Sequence, residues 1–356
     1  MKVIGVTGTD GKTTTVNMIY QILKTSGKKV SMVSTINAPG FHVTSPDPFT
    51  IQKFARDAEQ HGDECLVLEV TSHALDQYRF WGIKFDIGVI TNITHEHLDY
   101  HKTFENYLNT KFNLLNKVKY TVLNNNLLYV QKNVSKQSKT ISFGLDKGDF
   151  NQKDVNLKLE IPGDYNIENA LAALAVAFVL GIDKNMAKKT LENFKGIKGR
   201  MEEIKNNMGI KIIIDFAHTP NALEQALKTL RKQSSGRLIA VFGSAGRRDI
   251  AKRSLMGKIA AELADITVIT AEDPRGELEN ISEQIAVGAL KAGATKDRNL
   301  FLIGDRKKAI DLVINQLARK GDIVGIFGKG HELSMNLDGK KEIPWSDFEE
   351  VKKALN

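Results

Sequence analysis

The stretch Gly8-Thr9-Asp10-Gly11-Lys12-Thr13-Thr14 decides how this chain is read. An apolar run, Lys2–Thr7, precedes it, and a helical pattern over residues 13–25 follows. A glycine-rich turn between strand and helix is where a phosphate-binding loop belongs. Successive backbone N–H groups there wrap phosphate, and the helix N-terminus adds positive potential. Lys12 is expected to reach the β- and γ-phosphates and Thr13 to ligate Mg²⁺. The general pattern has a glycine where this chain has Val6, so Gly-Thr-x-Gly-Lys-Thr is a narrower variant.

Outward from the loop, short apolar runs bounded by turn residues recur at 29–36, 65–70, 85–91 and 120–123. Helical patterns lie between several of them, including 49–61, and 167–180 reads as a long apolar helix packed on a sheet. Strand alternating with helix predicts a doubly wound, mostly parallel α/β layer. The pattern breaks at Phe194-Lys195-Gly196-Ile197-Lys198-Gly199-Arg200. A second series of runs follows at 211–216, 238–243, 266–271, 300–304 and 322–328. The expectation is a central P-loop-type domain over 1–197 and a C-terminal Rossmann-like α/β domain over 198–356.

Composition sets the class. The 356 residues carry 50 Lys+Arg against 42 Asp+Glu, a formal charge of +8, with 42% hydrophobic residues, an ordinary globular balance. The single cysteine, Cys65, excludes an intramolecular disulfide and a four-cysteine zinc site. The best apolar run, 170–181, is shorter than the roughly 18 residues that cross a bilayer. The N-terminus has no signal-peptide shape. Basic residues are scattered and aromatics are only 7%, so neither nucleic acid nor a membrane is the expected partner. A positive surface suits a small anionic substrate. A cytoplasmic enzyme is the expectation.

Two further places carry chemistry. Glu69 ends the run 65–70, and a carboxylate at the C-terminal end of a parallel strand faces the ligand crevice, so it is a candidate Mg²⁺ ligand. Thr91-Asn92-Ile93-Thr94-His95-Glu96-His97-Leu98-Asp99-Tyr100-His101 gathers three histidines and two acids. Its spacing is not that of a helical zinc site. His95 and His101 read as structural.

Together these stretches resemble the Mur ligases, most closely their tripeptide-forming (MurE-type) branch, the ATP-dependent amide-forming enzymes of cell-wall synthesis. Further motifs in order support the resemblance: Glu69-Val70-Thr71-Ser72-His73, Gly163-Asp164-Tyr165-Asn166-Ile167-Glu168-Asn169-Ala170, Gly199-Arg200-Met201-Glu202, Asp215-Phe216-Ala217-His218-Thr219-Pro220, Lys252-Arg253-Ser254-Leu255-Met256-Gly257, Asp273-Pro274-Arg275 and Gly328-Lys329-Gly330-His331-Glu332. The resemblance implies that Gly8, Thr9, Asp10, Gly11, Lys12, Thr13 and Thr14 hold ATP, with Asn166 and Asn169 at adenine and Arg200, Asp215 and His218 approaching the nucleotide from the C-terminal domain. It implies two Mg²⁺ sites drawing on Thr13, Glu69, His97 and Lys111, the last carbamylated to N6-carboxylysine. Catalysis would fall to Lys12, Glu69, His97, Lys111 and Arg200.

The implied reaction activates an acceptor carboxylate as an acyl phosphate, which an incoming amine then attacks. Thr44, Ser45, Thr71 and Arg79 match acceptor contacts; Arg248, Asp273, Arg275, Gly328 and Glu332 match contacts to the incoming amino acid. The diaminopimelate-adding branch has Asp-Asn-Pro-Arg where this chain has Glu272-Asp273-Pro274-Arg275. Two arginines suit bidentate carboxylate recognition, favouring a diaminopimelate-like amino acid over lysine. Asp273, at the asparagine place, adds an anion that would favour a more cationic one. Family members carry an N-terminal domain for the uridine diphosphate of the acceptor, and this chain begins at the strand before the loop. The expectation is therefore a trimmed chain, or an acceptor without that nucleotide, with a separate acceptor-binding protein as a candidate partner and the chain itself a monomer. The alternatives are a folylpolyglutamate- or poly-γ-glutamate-type ligase and a catalytically silent ATP-binding partner subunit.

Overall fold

The computed structural model describes residues 1–38, 44–133 and 137–356. They divide into two compact units, 1–94 with 101–195 and 95–100 with 196–356. No helix among the described residues is long and apolar enough to cross a membrane.

In the first unit the described strands form a seven-stranded sheet. They are β1 (Lys2–Thr7), β2 (Val30–Val33), β3 (Cys65–Glu69), β4 (Ile87–Ile90), β5 (Tyr120–Asn124), β6 (Lys139–Gly144) and β7 (Phe150–Asn151). The order is β2-β3-β1-β4-β5-β6-β7, and every pairing is parallel. The central strands are buried throughout, as expected when helices cover both faces. The chain leaves β1 toward β3 and β2 on one side, then crosses to β4 on the other. That reversal puts the loops after β1, β3 and β4 at one crevice, where α/β sheets bind ligands. The helices Lys12–Thr25 and Asp164–Val179 pack on one another over the sheet. The second is apolar nearly all round because it is enclosed by the sheet core rather than set at the surface.

In the second unit β8 (Glu202–Ile204), β9 (Lys211–Asp215), β10 (Leu238–Phe242), β11 (Ile266–Ile269), β12 (Leu300–Leu302) and β13 (Ile323–Phe327) form a sheet ordered β12-β11-β10-β13-β9-β8. Only β8 runs antiparallel to its neighbour among these. A small hairpin pairs β14 (Ser334–Met335) with β15 (Ile343–Pro344).

The expected doubly wound α/β architecture is present in both units. Strand ends differ where turns intervene. The run expected at 29–36 stops at Val33 because Asn37 Oδ1 accepts from the backbone N–H of Ser34, at 2.7 Å, and folds the chain into a turn. That turn carries Thr35 toward Glu69. Strands β6, β7, β8, β14 and β15 have no counterpart in the runs read from the sequence.

Candidate active site

The loop after β1 is shaped by two glycines. Gly8 has φ +152°, and a Cβ there would lie 1.8 Å from Thr91 Oγ1. Gly11 caps the helix Lys12–Thr25 in the left-handed region, φ +81°, and a Cβ there would lie 2.2 Å from Asn169 Oδ1. Neither position admits a side chain. The residues after β4 fasten the loop from beneath. Thr9 N–H donates to Asn92 O at 2.9 Å, Asp10 N–H to Asn92 Oδ1 at 2.9 Å, and Thr91 Oγ1 to Asp10 O at 2.7 Å. Thr9 and Asp10 thus turn their amides inward, and the anion-binding potential is concentrated at the N-terminus of the helix Lys12–Thr25. Lys12 Nζ donates to Gly8 O at 3.1 Å and Thr9 O at 2.6 Å, which holds its ammonium over the loop.

Glu69, at the end of β3, is 2% exposed. Its Oε1 accepts from Thr13 Oγ1 at 3.0 Å and Thr35 Oγ1 at 2.9 Å, and its Oε2 from Thr35 N–H at 2.8 Å. Thr35 Oγ1 is 3.0 Å from Thr44 Oγ1. Ser45 Oγ donates to the backbone oxygen of Glu69 at 3.1 Å and accepts from Thr71 N–H at 3.2 Å, while Arg79 Nη1 donates to Ser45 O at 2.7 Å. The fold therefore brings Thr13, Glu69, Thr44, Ser45, Thr71 and Arg79 into one connected patch. Thr35, at its centre, was not singled out from the sequence; it lies in a stretch read as strand.

Lys111 lies in the helix Phe104–Phe112 and is 1% exposed. Its Nζ donates to Gly8 O at 2.7 Å and sits 4.6 Å from the centre of the Tyr107 ring. It is a buried lysine, not one set on an exposed helix face. His101, also buried, bonds Ser72 Oγ through Nε2 at 3.0 Å and packs on the rings of His73 and Tyr107, which fits a structural role. Asn166 and Asn169 are buried in the helix Asp164–Val179; Asn169 Oδ1 accepts from Thr15 Oγ1 at 3.2 Å, just behind the loop.

Among the described residues no group of three or more His, Cys, Asp or Glu converges to hold a metal. The donors at the loop are instead a threonine hydroxyl and one carboxylate. That set fits Mg²⁺, a hard cation bound through one or two carboxylates together with substrate phosphates and water. His97 lies in the segment 95–100, which belongs to the second unit, and its φ is +58°.

The second unit assembles another set. Asp215, at the end of β9, accepts Met201 N–H at 2.7 Å on Oδ2 and Ala217 N–H at 2.8 Å on Oδ1. It holds the turn that presents Arg200, whose guanidinium stacks 4.2 Å from the Phe216 ring centre. The same ring packs against His218 and His331. The loops after β11 and β13 are joined by Lys329, which is fully buried; its Nζ donates to Asp273 Oδ1 at 2.9 Å and pairs with Glu332. Burial opposes that charge, but Glu332 and Asp273 outweigh it and raise the lysine above its ordinary value. Asp273 Oδ1 also accepts Asn336 N–H at 3.0 Å, and Arg275 Nη2 lies 3.9 Å from Asp273 Oδ2. Arg248 is exposed.

Beneath these loops Glu272 is buried, and Gly328, at φ +105°, leaves the room it needs: a Cβ there would meet Glu272 Oε2 at 2.4 Å. Burial pushes the Glu272 carboxyl up to about 7 despite Lys252, Arg306 and Lys329. Arg306 pairs with Asp347 through Nε and Nη2, both at 2.7 Å, and donates to Ala271 O and Phe327 O, so one buried guanidinium ties together the starts of both loops.

Residues 6–177 match the Mur ligase middle domain, and residues 199–330 match the Mur ligase, glutamate ligase domain. A UDP-N-acetylmuramoyl-L-alanyl-D-glutamate–2,6-diaminopimelate ligase of Clostridium tetani is 35% identical over 383 residues, which span 100% of this chain and 78% of that one. A UDP-N-acetylmuramyl-tripeptide synthetase of Borreliella burgdorferi is 37% identical over 392 residues, covering 100% and 76%. A solved structure of a UDP-N-acetylmuramoyl-L-alanyl-D-glutamate–2,6-diaminopimelate ligase aligns with TM-score 0.64 and 31% identity over 100% of this chain and 78% of that chain. The chain belongs to the Mur ligase family of ATP-dependent, amide-forming ligases.

Proposed function

We propose that the chain joins a diaminopimelate-like amino acid to the carboxylate of a muramyl-peptide or γ-glutamyl acceptor through an acyl phosphate. Residues 1–197 would bind ATP and acceptor, and 198–356 the amino acid. The observation that carries this reading is the patch around Glu69. There the hydroxyl expected to meet Mg²⁺ (Thr13) and the residues expected to meet the acceptor (Thr44, Ser45, Thr71, Arg79) share one hydrogen-bonded network.

In the first step an acceptor carboxylate oxygen attacks the γ-phosphorus and the bond to ADP breaks. Lys12 and Arg200 offset the charge that develops on the transferred phosphoryl group. Mg²⁺ held by Thr13 and Glu69, and a second ion drawing on His97 and a carbamylated Lys111, would supply further positive charge to the phosphates. In the second step the amine attacks the acyl carbon and phosphate leaves. We assign Asn166 and Asn169 to the adenine and Arg200, Asp215 and His218 to nucleotide binding, Asp215 by holding the Arg200 turn.

For the amino acid, Asp273 and Glu332 are both engaged by Lys329, whose single charge offsets half of theirs, and Arg275 lies 3.9 Å from Asp273. Arg275 and Arg248 are the guanidiniums assigned to a distal carboxylate, which supports diaminopimelate over lysine. The names of the Clostridium tetani and solved-structure relatives point the same way. We place the enzyme in the cytoplasm, acting as a monomer. The test is ATP-dependent amide formation with a dipeptide, a γ-glutamyl compound or UDP-muramyl-dipeptide as acceptor, and diaminopimelate or lysine as amine. Preferential turnover of diaminopimelate, weakened in Arg275→Ala, supports the reading; equal use of lysine contradicts it.

A further inference from the structure

We propose that Tyr107 is a positioning residue that locks the phosphate loop to the helix bearing Lys111 through the hydrogen bond between its phenolic hydroxyl and that of Thr9. The proposal rests on the reading of residues 8–14 as the ATP loop. A threonine hydroxyl has one hydrogen and two acceptor sites. Thr94 N–H donates to Thr9 Oγ1 at 2.9 Å, and Thr9 Oγ1 donates to Thr94 O at 3.3 Å. Tyr107 Oη lies 3.0 Å from the same Thr9 oxygen. Either hydroxyl of this pair can donate, and the bond ties the helix to the loop in both cases. The Thr9 amide is already committed to Asn92 O. Every polar hydrogen of Thr9 is thus used within the protein, and this residue holds the loop's shape rather than phosphate.

The same helix grips the preceding loop residue. One turn after Tyr107, Lys111 donates to Gly8 O at 2.7 Å, with its ammonium 4.6 Å from the Tyr107 ring. Positions four apart on a helix face the same way, so two adjacent loop residues are held by two adjacent side chains of Phe104–Phe112. Tyr107 is 1% exposed and the His101 ring packs on it. The consequence is a fixed spacing between the bed for the phosphates and the lysine amine.

Tyr107→Phe keeps the ring and its packing and removes the phenolic hydroxyl. Losing one bond at a buried hydroxyl weakens whatever it positions, and the expected effect is a rise of about ten-fold in the KM for ATP with kcat changed less than three-fold. Thr9→Val should give a rise at least as large, Thr9→Ser should restore near-parental behaviour because it keeps the hydroxyl, and Tyr107→Phe with Thr9→Val should be no worse than Thr9→Val alone. Thermal melting of each variant separates lost folding from lost positioning; if Tyr107→Phe does not fold, the contrast between Thr9→Ser and Thr9→Val decides. A Tyr107→Phe enzyme with the parent's KM for ATP overturns the proposal while leaving the loop reading intact, as do equal effects of Thr9→Ser and Thr9→Val. A parent chain that binds no ATP overturns the loop reading and this proposal together.

Discussion

Replacing Gly11 by alanine is the sharpest single perturbation of the nucleotide site. Two costs add. A left-handed backbone, φ +81°, costs a residue with a Cβ about 1–2 kcal/mol. The new methyl would also lie 2.2 Å from Asn169 Oδ1, a side chain held by Thr15 and buried against the loop, so the loop or the helix Asp164–Val179 must shift. Overpacking of that kind costs about 1–3 kcal/mol. Their sum is about 2–5 kcal/mol. If it falls on nucleotide binding, affinity drops by roughly 30- to 4,000-fold at 1.4 kcal/mol per decade. Isothermal titration with ATP, or with a non-hydrolysable analogue, reads this directly. A melting curve reports the share that falls on folding instead, at roughly 2–4 °C per kcal/mol for a domain of this size. Pairing Gly11→Ala with Asn169→Ala relieves the collision but not the backbone strain, so the double variant should melt higher than Gly11→Ala alone. Native affinity and native melting temperature in Gly11→Ala would refute the reasoning.

Other outcomes follow from the same structure. Lys111→Arg keeps a cation at Gly8 but cannot be carbamylated, so amide formation should fall by at least 100-fold, while added bicarbonate stimulates only the parent. Asp347→Ala strands the fully buried Arg306 guanidinium and should cost about 3–5 kcal/mol, seen as a lower denaturation midpoint; an unchanged midpoint removes Arg306 as the tie between the two amino-acid loops. Glu272 has its folded value raised to about 7, above an unfolded value of 4.5, so between these limits the native state binds the extra proton and stability falls as pH rises. The slope from this group is at most about 1.4 kcal/mol per pH unit. Glu272→Gln should flatten denaturation midpoints across that window, whereas an identical pH dependence in parent and variant would show that the carboxyl does not titrate there.

What was legible in the sequence follows from what is local. The loop Gly8–Thr14 announced itself because strand, glycines, Lys-Thr and helix are contiguous. The parallel strands β1, β3, β10 and β13 were legible because burial on both faces demands unbroken apolar runs. Strand β8 was not, because it lies at a sheet edge and consists of Glu202, Glu203 and Ile204. The supports of the site were hidden for a different reason. Thr35, Asn92 and Tyr107 are ordinary residue types, and only the fold brings them to Glu69, Asp10 and Thr9 across long separations. The role of Asp273 also depended on the fold: its charge is visible in the sequence, its partner Lys329, 56 residues on, is not.

The central claim is that the acceptor carboxylate is activated by phosphorylation at the loop after β1. The most direct measurement supplies an acceptor whose carboxylate carries heavy oxygen, with ATP and the amino acid, and analyses the phosphate released. Formation of the acyl phosphate requires one heavy oxygen to appear in inorganic phosphate for each amide formed, with ADP as the nucleotide product. Unlabelled phosphate, or release of AMP and pyrophosphate, would contradict it.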